Sequence, residues 1–170
     1  MKLFSKDYTK EEIALFEFLR TIPIFSSFTN HELFLCSESI YLRKYKQNEV
    51  IFFQDDPAEA LYIVKKGFVS IGFKAEGKSE VLKVFKNGES FGHEALLDAK
   101  KRFTTAINEG ETGEIYVIPK VHLEAVSNKS VKLKAKLYKN LAEFYGGYIS
   151  ELYKAYQKSF GLFELSEVHI

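Results

Sequence analysis

A glycine and an arginine that lie ten positions apart in this chain could together bind an anion. Gly92 and Arg102 both lie in the stretch from Phe91 to Ala106, which also contains residues able to open a short helix. Amide groups at a helix start direct their N–H bonds at an anion, and a glycine lets the backbone approach it closely. A planar guanidinium can bridge two phosphate oxygens. The spacing therefore predicts a pocket for one phosphate anion, to which Thr104 could add a donor.

Arg102 also has a simpler interpretation, as a solvated residue of a hairpin. It follows Lys100 and Lys101, and runs of charged residues are usually exposed.

The other polar residues of the chain indicate no catalytic or metal centre. His31, His122 and His169 are far apart in sequence, and the lone Cys36 has no Cys or His at the spacing of a metal site. We see no nucleophile with a base and no pair of carboxylates. We therefore expect a protein that is not an enzyme and that binds no metal and no cofactor.

Composition limits the architecture and the partners. A chain of 170 residues with 46% hydrophobic residues is large enough for one domain with a real core. The 24 basic and 23 acidic residues nearly cancel, so we expect no direct binding to nucleic acid and none to a membrane. The first residues do not have the pattern of a signal peptide, and no run is long enough to cross a bilayer. We expect a cytoplasmic protein.

Local sequence patterns predict the helices and strands around Gly92 and Arg102. Thr9 with Glu12 and Thr29 with Glu32 form two capping-box signatures, each of which predicts a helix start. Short β-rich runs broken by turn residues follow, and they are typical of an antiparallel roll. We predict strands over residues 40–45, 50–53, 60–65, 68–73, 80–85, 103–108 and 114–118.

The chain becomes helical after Pro119, with an interruption predicted at Ser127-Asn128. A long last helix over residues 130–158 carries an apolar stripe that something must cover, and Gly146-Gly147 could allow it to bend. We predict one domain in four parts: N-terminal helices (1–39), a roll (40–119), C-terminal helices acting as lid or dimer contact (120–159) and a tail (160–170). The fold class is mainly β with flanking helices, a double-stranded β-helix of jelly-roll type.

The order of elements and the stretch from Phe91 to Ala106 resemble the cyclic nucleotide-binding domain family, which includes catabolite activator protein and the regulatory subunits of protein kinase A. The family pattern reads Phe-Gly-Glu, an aliphatic residue, Ala-Leu-Leu, four variable residues, Arg, small residues and Thr. The residues that match it without a gap are Phe91, Gly92, Ala95, Leu96, Leu97, Arg102 and Thr105.

The resemblance implies a non-catalytic sensory or regulatory module that binds a cyclic purine mononucleotide such as cAMP or cGMP. It would act on a separate effector protein and form a homodimer through the C-terminal helix. The phosphate and ribose would be contacted by Phe91, Gly92, His93, Glu94, Ala95, Arg102, Phe103 and Thr104. The base would be contacted by Ile71, Leu82, Lys83 and Tyr145.

Two departures from the family pattern leave an alternative open. His93 stands where the family has the Glu that accepts a bond from the ribose, and the bulky Phe103 replaces a small residue. Glu94 comes one position later; in an α-helix its side chain would point about 100° away, so it could replace that carboxylate only after a local rearrangement. The alternative is a degenerate, ligand-free roll that serves as a scaffold for protein interaction or dimerisation.

Overall fold

Two antiparallel four-stranded sheets face each other, and helices pack at their ends. The computed structural model describes residues 7–75, 78–97 and 100–160. The helices are α1 (Lys10–Arg20), α2 (Asn30–Ser37), α3 (Lys120–Lys129) and α4 (Val131–Phe160), with 3-10 helices η1 (Pro23–Phe25) and η2 (His93–Leu96). The strands are β1 (Tyr41–Lys46), β2 (Val50–Phe52), β3 (Ala60–Lys66), β4 (Val69–Ala75), β5 (Lys78–Phe85), β6 (Ser90–Phe91), β7 (Thr105–Asn108) and β8 (Thr112–Pro119).

The roll arises because the chain passes repeatedly from one sheet to the other, whereas the hairpin β4–β5 stays within one sheet. One sheet has the order β1-β8-β3-β6 and the other the order β2-β7-β4-β5. Alternate side chains of both sheets point inward and form a core that includes Val64, Val69, Phe91 and Ile115. The predicted fold class, a β-roll with N-terminal helices and a long C-terminal helix, is confirmed.

Both predicted capping boxes are present. Thr9 accepts from the amide of Glu12, whose carboxylate bonds back to the amide of Thr9, and Thr29 and Glu32 repeat this arrangement. Satisfied amides fix both helix starts. Pro23 begins η1 just after α1 ends, as its effect on the preceding residue predicts.

The first half of α4 is held firmly against the rest of the molecule. Leu133, Leu137 and Leu141 are buried in the helical core. Asn140, which is 4% exposed, donates to the carbonyl of Ile24, and Lys136 pairs with Glu32 at 2.7 Å. This polar pairing, together with the leucines, fixes the axial position of the helix.

The second half of α4 extends beyond these contacts. Leu152 is 55% exposed and Ile149 is 43% exposed, although the apolar stripe is continuous in sequence. The helix runs without interruption through Gly146-Gly147, and a bend at the glycines stays a prediction. Apart from the adjacent residues and the nearby backbone of α4 itself, no atom of the described residues lies within 4 Å of a Cβ built at either glycine.

The structure corrects the sequence predictions at three places: the strand β6, the position of Phe103 and the break between α3 and α4. The two-residue strand β6 was not predicted; it exists because Ser90 and Phe91 pair with β3. Phe103 is not in a strand, since β7 begins at Thr105 and Lys101 forms a bridge with Pro57. The helical interruption lies at Ser130, not at Ser127-Asn128.

Ser130 ends α3 because its backbone is extended, and its hydroxyl caps the start of α4 by accepting from the amide of Leu133. Residues 76–77, between β4 and β5, and the tail beyond Phe160 lie outside the described residues. Among the helices that the structure describes, none is long and apolar enough to cross a membrane.

Candidate functional site

A cavity of about 240 Å³ lies between the inner face of the roll and α4. Strands β2, β4, β5 and β6, the turn into η2, the segment before β7 and α4 all contribute to its wall. Most of the wall is aromatic or aliphatic. The lining residues are Phe52, Ile71, Leu82, Phe85, Phe91, Gly92, His93, Glu94, Phe103, Thr104, Phe144, Tyr145 and Tyr148.

Arg102 lies behind one end of this wall and is 2% exposed. Its guanidinium donates to the carbonyl of Ala60 at 2.7 Å, to the carbonyl of Gly92 at 3.2 Å and to the carboxylate of Glu94 at 3.2 Å. It also lies 4.3 Å from the centroid of the Phe52 ring, at cation–π distance. The interpretation of Arg102 as a solvated hairpin residue is therefore wrong.

One donor of the Arg102 side chain is left without a partner. Its Nε is buried and has no hydrogen-bond partner among residues 7–75, 78–97 and 100–160. A buried N–H group without an acceptor is costly, and an anionic ligand would supply one.

Gly92 makes this burial possible. Its φ of +77° lies in the left-handed region, which glycine adopts freely. A Cβ at this position would come within 2.8 Å of Nη1 of Arg102 and within 3.2 Å of the Ala60 carbonyl oxygen. The guanidinium thus occupies the space that a side chain at position 92 would need.

Glu94 faces the cavity and Arg102, although it does not occupy the position of the family carboxylate. Residues 93–96 form a 3-10 helix rather than an α-helix, so the spacing of side chains around the axis differs from the 100° assumed from the sequence. Glu94 is 9% exposed and pairs with Arg102. The arginine and the carboxylate together leave this end of the cavity with no net charge.

His93 is buried and connects the roll to α4. Its Nε2 lies 2.8 Å from the hydroxyl of Ser90, and its ring centroid lies 4.1 Å from that of Phe144 and 6.3 Å from that of Tyr145. Burial, with a smaller effect of the nearby Lys83 charge, lowers the pKa of His93 to about 3. The imidazole is therefore neutral near pH 7 and adds no positive charge to the site.

The α4 wall is aromatic and uncharged. Phe144, Tyr145 and Tyr148 close the cavity from this side. Burial, and after it the proximity of the Glu94 carboxylate, raises the pKa of Tyr145 to about 12. Its phenol therefore remains protonated and presents a ring and a neutral hydroxyl.

The structure brings most of the predicted site residues to this one cavity. Ile71, Leu82, Phe103 and Thr104 line it together with residues 91–94 and Tyr145. Ala95 is fully buried, and its amide donates to the carbonyl of Gly92. Whether these residues contact a nucleotide stays a prediction.

Lys83 is the predicted site residue that the structure places elsewhere. It lines a neighbouring cleft under α4, and its ammonium pairs with Glu89 at 3.4 Å. Phe103, by contrast, lines the cavity but is 67% exposed. Its ring therefore lies mainly in solvent instead of filling the pocket.

Several residues of the site were not predicted. Phe52 and Phe85 line the cavity, and strand alternation could have indicated their inward direction. Phe144 belongs to the stripe of α4, but its contact with His93 is tertiary. The acceptor role of Ala60 has no sequence signal, because it is a backbone carbonyl.

Comparison with known proteins identifies the family. The profile of the cyclic nucleotide-binding domain matches residues 42–130, which is slightly more than half of the chain. The chain belongs to the cyclic nucleotide-binding domain family. The segment matched includes β2 to β8, η2, Gly92 and Arg102, and therefore most of the cavity.

The relatives include eukaryotic and bacterial regulators. A cAMP-dependent protein kinase regulatory subunit of Pyricularia oryzae is 31% identical over 94 residues, which cover 55% of this chain and 24% of that protein. The catabolite activator protein of Thermus thermophilus is similar in structure, with a TM-score of 0.66 and 26% identity over 76% of this chain and 59% of the other.

The regulatory domain of Toxoplasma gondii PKA, solved with cAMP, superposes with a TM-score of 0.64 at 23% identity and covers 73% of this chain and 47% of that one. At this identity the likeness concerns the fold. The chain thus spans about a quarter of the length of the kinase subunit and about half of the structural relatives.

Replacing Gly92 by alanine should destabilise this family member strongly. The new Cβ would meet Arg102, and the alanine backbone would have to adopt a positive φ. We therefore expect a loss of more than about 1 kcal/mol in unfolding free energy. Gly147→Ala is the matched control; no other described atom lies near that position, and it should stabilise α4 by up to about 1 kcal/mol. Urea denaturation measures both, and equal effects would contradict the close packing of Gly92 and Arg102.

The neutral His93 should make stability depend on pH. In the unfolded chain, the imidazole of His93 takes up a proton below about pH 6.5. In the folded chain it takes up this proton only near its pKa of about 3. Unfolding free energy should therefore fall as the pH drops from 7 toward 4, by up to about 1.4 kcal/mol per pH unit. Denaturation of His93→Gln should show a shallower slope, whereas His31→Gln at an exposed position should keep the parent slope. An unchanged slope for His93→Gln would contradict the buried neutral imidazole.

Proposed function

We propose that this chain is a non-catalytic regulatory module that binds a cyclic purine mononucleotide in the cavity under α4. The observation that carries the proposal is a buried arginine with an unpartnered N–H, packed on the glycine of the family pattern at one end of an aromatic cavity. A singly charged phosphodiester is an acceptor for that arginine. An aromatic wall is suited to stacking against a purine.

The ligand would lie along the cavity from Arg102 to α4. Its phosphate would bond the Nε of Arg102 and the donors that Glu94 now occupies. Its base would lie near Ile71 and Leu82, with Tyr145 as the stacking partner. cAMP is the first ligand to test, because the kinase subunit relatives and the cyclic AMP receptor protein relative are named for it.

Binding would require α4 to move. The cavity of about 240 Å³ is smaller than the usual range of roughly 300–1,000 Å³ for ligand pockets. Its movable wall consists of Phe144, Tyr145 and Tyr148, which follow directly on the anchored half of α4. We therefore infer that ligand shifts the second half of α4 and that this shift is the output, read by a separate effector in the cytoplasm.

A second candidate function is that of a ligand-free scaffold. The ion pair of Glu94 with Arg102 and the contact of the His93 ring with Phe144 give most of the site internal partners without any ligand, although Nε of Arg102 has none among the described residues. The roll would then serve to present α4 to a partner or to a second copy. Nucleotide binding separates the two candidates.

Thermal or chemical denaturation with cAMP and with cGMP tests the proposal. At a free ligand concentration one hundred times the dissociation constant, a competent site gains about 2.7 kcal/mol of stability. Arg102→Lys should abolish most of this gain, because an ammonium keeps the charge but cannot bridge two oxygens. No stabilisation of a ligand-free sample by either nucleotide would favour the scaffold.

Lys101→Ala is the matched control for the neighbouring cation. Its ammonium is 67% exposed and pairs with the exposed Asp55 at 3.5 Å, so its removal should leave the nucleotide-induced stabilisation unchanged. An Arg102→Lys protein that folds and still shows the full gain would place the binding site elsewhere.

The exposed half of α4 should support a homodimer. Ile149 and Leu152 present apolar surface on one helix of each copy, and pairing two such helices would bury it. Light scattering after gel filtration should give twice the chain mass, and Leu152→Glu should give a monomer. Val121→Glu, on α3 at a position that is 72% exposed, is the control and should remain dimeric; a monomeric parent at high concentration would contradict the dimer.

A further inference from the structure

Glu94 lies so close to the proposed phosphate position that it must affect which anions can bind. Its carboxylate is bonded to Nη1 of Arg102 at 3.2 Å, and both side chains are almost completely buried. Any phosphate bonded to the same guanidinium would lie within roughly 5 Å of this carboxylate. The backbone of Glu94 is part of η2, so the carboxylate stays near the phosphate even if it releases Arg102.

The charges around the cavity are already balanced. Arg102 contributes one positive charge and Glu94 one negative charge, while His93 is neutral. None of the described residues lining the cavity is a lysine or an arginine, and the nearby Lys83 is paired with Glu89. A bound anion therefore adds uncompensated negative charge to an apolar enclosure, where such charge is costly.

We propose that Glu94 is a specificity-determining residue that restricts this site to singly charged phosphodiesters and excludes doubly charged phosphate monoesters. The inference rests on the proposed nucleotide function. A cyclic mononucleotide carries one negative charge, whereas a nucleoside 5′-monophosphate carries nearly two at pH 7.5, because its second ionisation has a pKa of about 6. Repulsion from the Glu94 carboxylate is about twice as large for the monoester.

This charge selection separates a cyclic nucleotide from the product of its hydrolysis. The two share the base and the ribose, so the aromatic wall contacts both in a similar way. They differ at the phosphate, which is the end of the ligand next to Arg102 and Glu94. The carboxylate lowers the affinity for the cyclic ligand because it competes for the guanidinium, and it lowers the affinity for the monoester more.

Titration calorimetry of the full chain at pH 7.5 with cAMP and with 5′-AMP tests the inference. The parent should bind cAMP and should bind 5′-AMP much more weakly. Glu94→Gln keeps the size of the side chain and removes its charge; it should tighten cAMP binding by about tenfold and 5′-AMP binding by at least a further tenfold. The amide of the introduced glutamine could itself bond to Arg102 and compete with the ligand. Glu94→Ala removes that amide as well, and it should tighten the binding of both nucleotides, with the larger gain for 5′-AMP.

Glu124→Gln is the charge-matched control. Its carboxylate lies on α3, is 54% exposed and pairs with Lys120, so the substitution changes net charge without touching the cavity. Both affinities should equal those of the parent. If this control changed the ratio as much as Glu94→Gln does, the selection would be a long-range effect and the inference would be overturned.

Other outcomes are equally decisive. If the parent and the Glu94→Gln protein both bind cAMP and have the same ratio of cAMP to 5′-AMP affinity, the charge selection is overturned. The proposed function then stands. A Glu94→Gln or Glu94→Ala protein that binds cAMP more weakly than the parent would make Glu94 a ligand contact and would likewise overturn the charge selection. Folded proteins of all three kinds that bind neither nucleotide would overturn the proposed function and the inference together.

Discussion

The site is held together by the hydrogen bonds and the ion pair of the buried guanidinium of Arg102. A charged group in the interior is very unfavourable unless it is paired and hydrogen-bonded. Its partners come from two parts of the chain: the carbonyl of Ala60 at the start of β3, and the carbonyl of Gly92 with the carboxylate of Glu94 at η2. Satisfying Arg102 therefore fixes where β3, η2 and the segment leading into β7 meet. The same contacts explain two residue types: position 92 must lack a side chain because the guanidinium fills that space, and the carboxylate at position 94 supplies a counter-charge to the guanidinium.

The connection from this site to α4 runs through uncharged contacts. His93 follows Gly92 directly and stacks on Phe144, which lies one turn beyond the buried Leu141 on the same helix. Burial keeps the imidazole neutral, so the stack costs no buried charge. The anchored half of α4 is fixed by leucines and by Asn140, whereas the following turns rest on the aromatic wall of the cavity. A change in the shape of the cavity therefore acts at the boundary between the fixed half and the exposed half of α4.

The sequence could predict those features that depend on neighbouring residues. Capping boxes at Thr9 and Thr29, alternation in the strands and the ten-residue separation of Gly92 and Arg102 are local signals, and the structure contains all of them. Features determined by contacts between distant segments could not be predicted: the pairing that creates β6, the exposure of Phe103, and the stacking of His93 on α4. The direction of Glu94 belongs to the second group, because an α-helix and a 3-10 helix place the same residue differently and the choice depends on the packing around Arg102.

A site whose buried charges are paired without ligand needs only a small free-energy difference between its closed and open forms to act as a switch. The ion pair of Glu94 with Arg102 avoids the large penalty of an unpaired buried charge. It also weakens the apparent affinity for any ligand, because only the fraction of molecules in the binding-competent form can bind it. A ligand can shift such an equilibrium only by its difference in affinity for the two forms. In the proposed complex, the phosphate would bond only a guanidinium that offers it free donors, and the base would fit only a cavity whose α4 wall has moved. Both ends of such a ligand would favour the open form, which is the condition under which binding at Arg102 could be transmitted to the exposed half of α4.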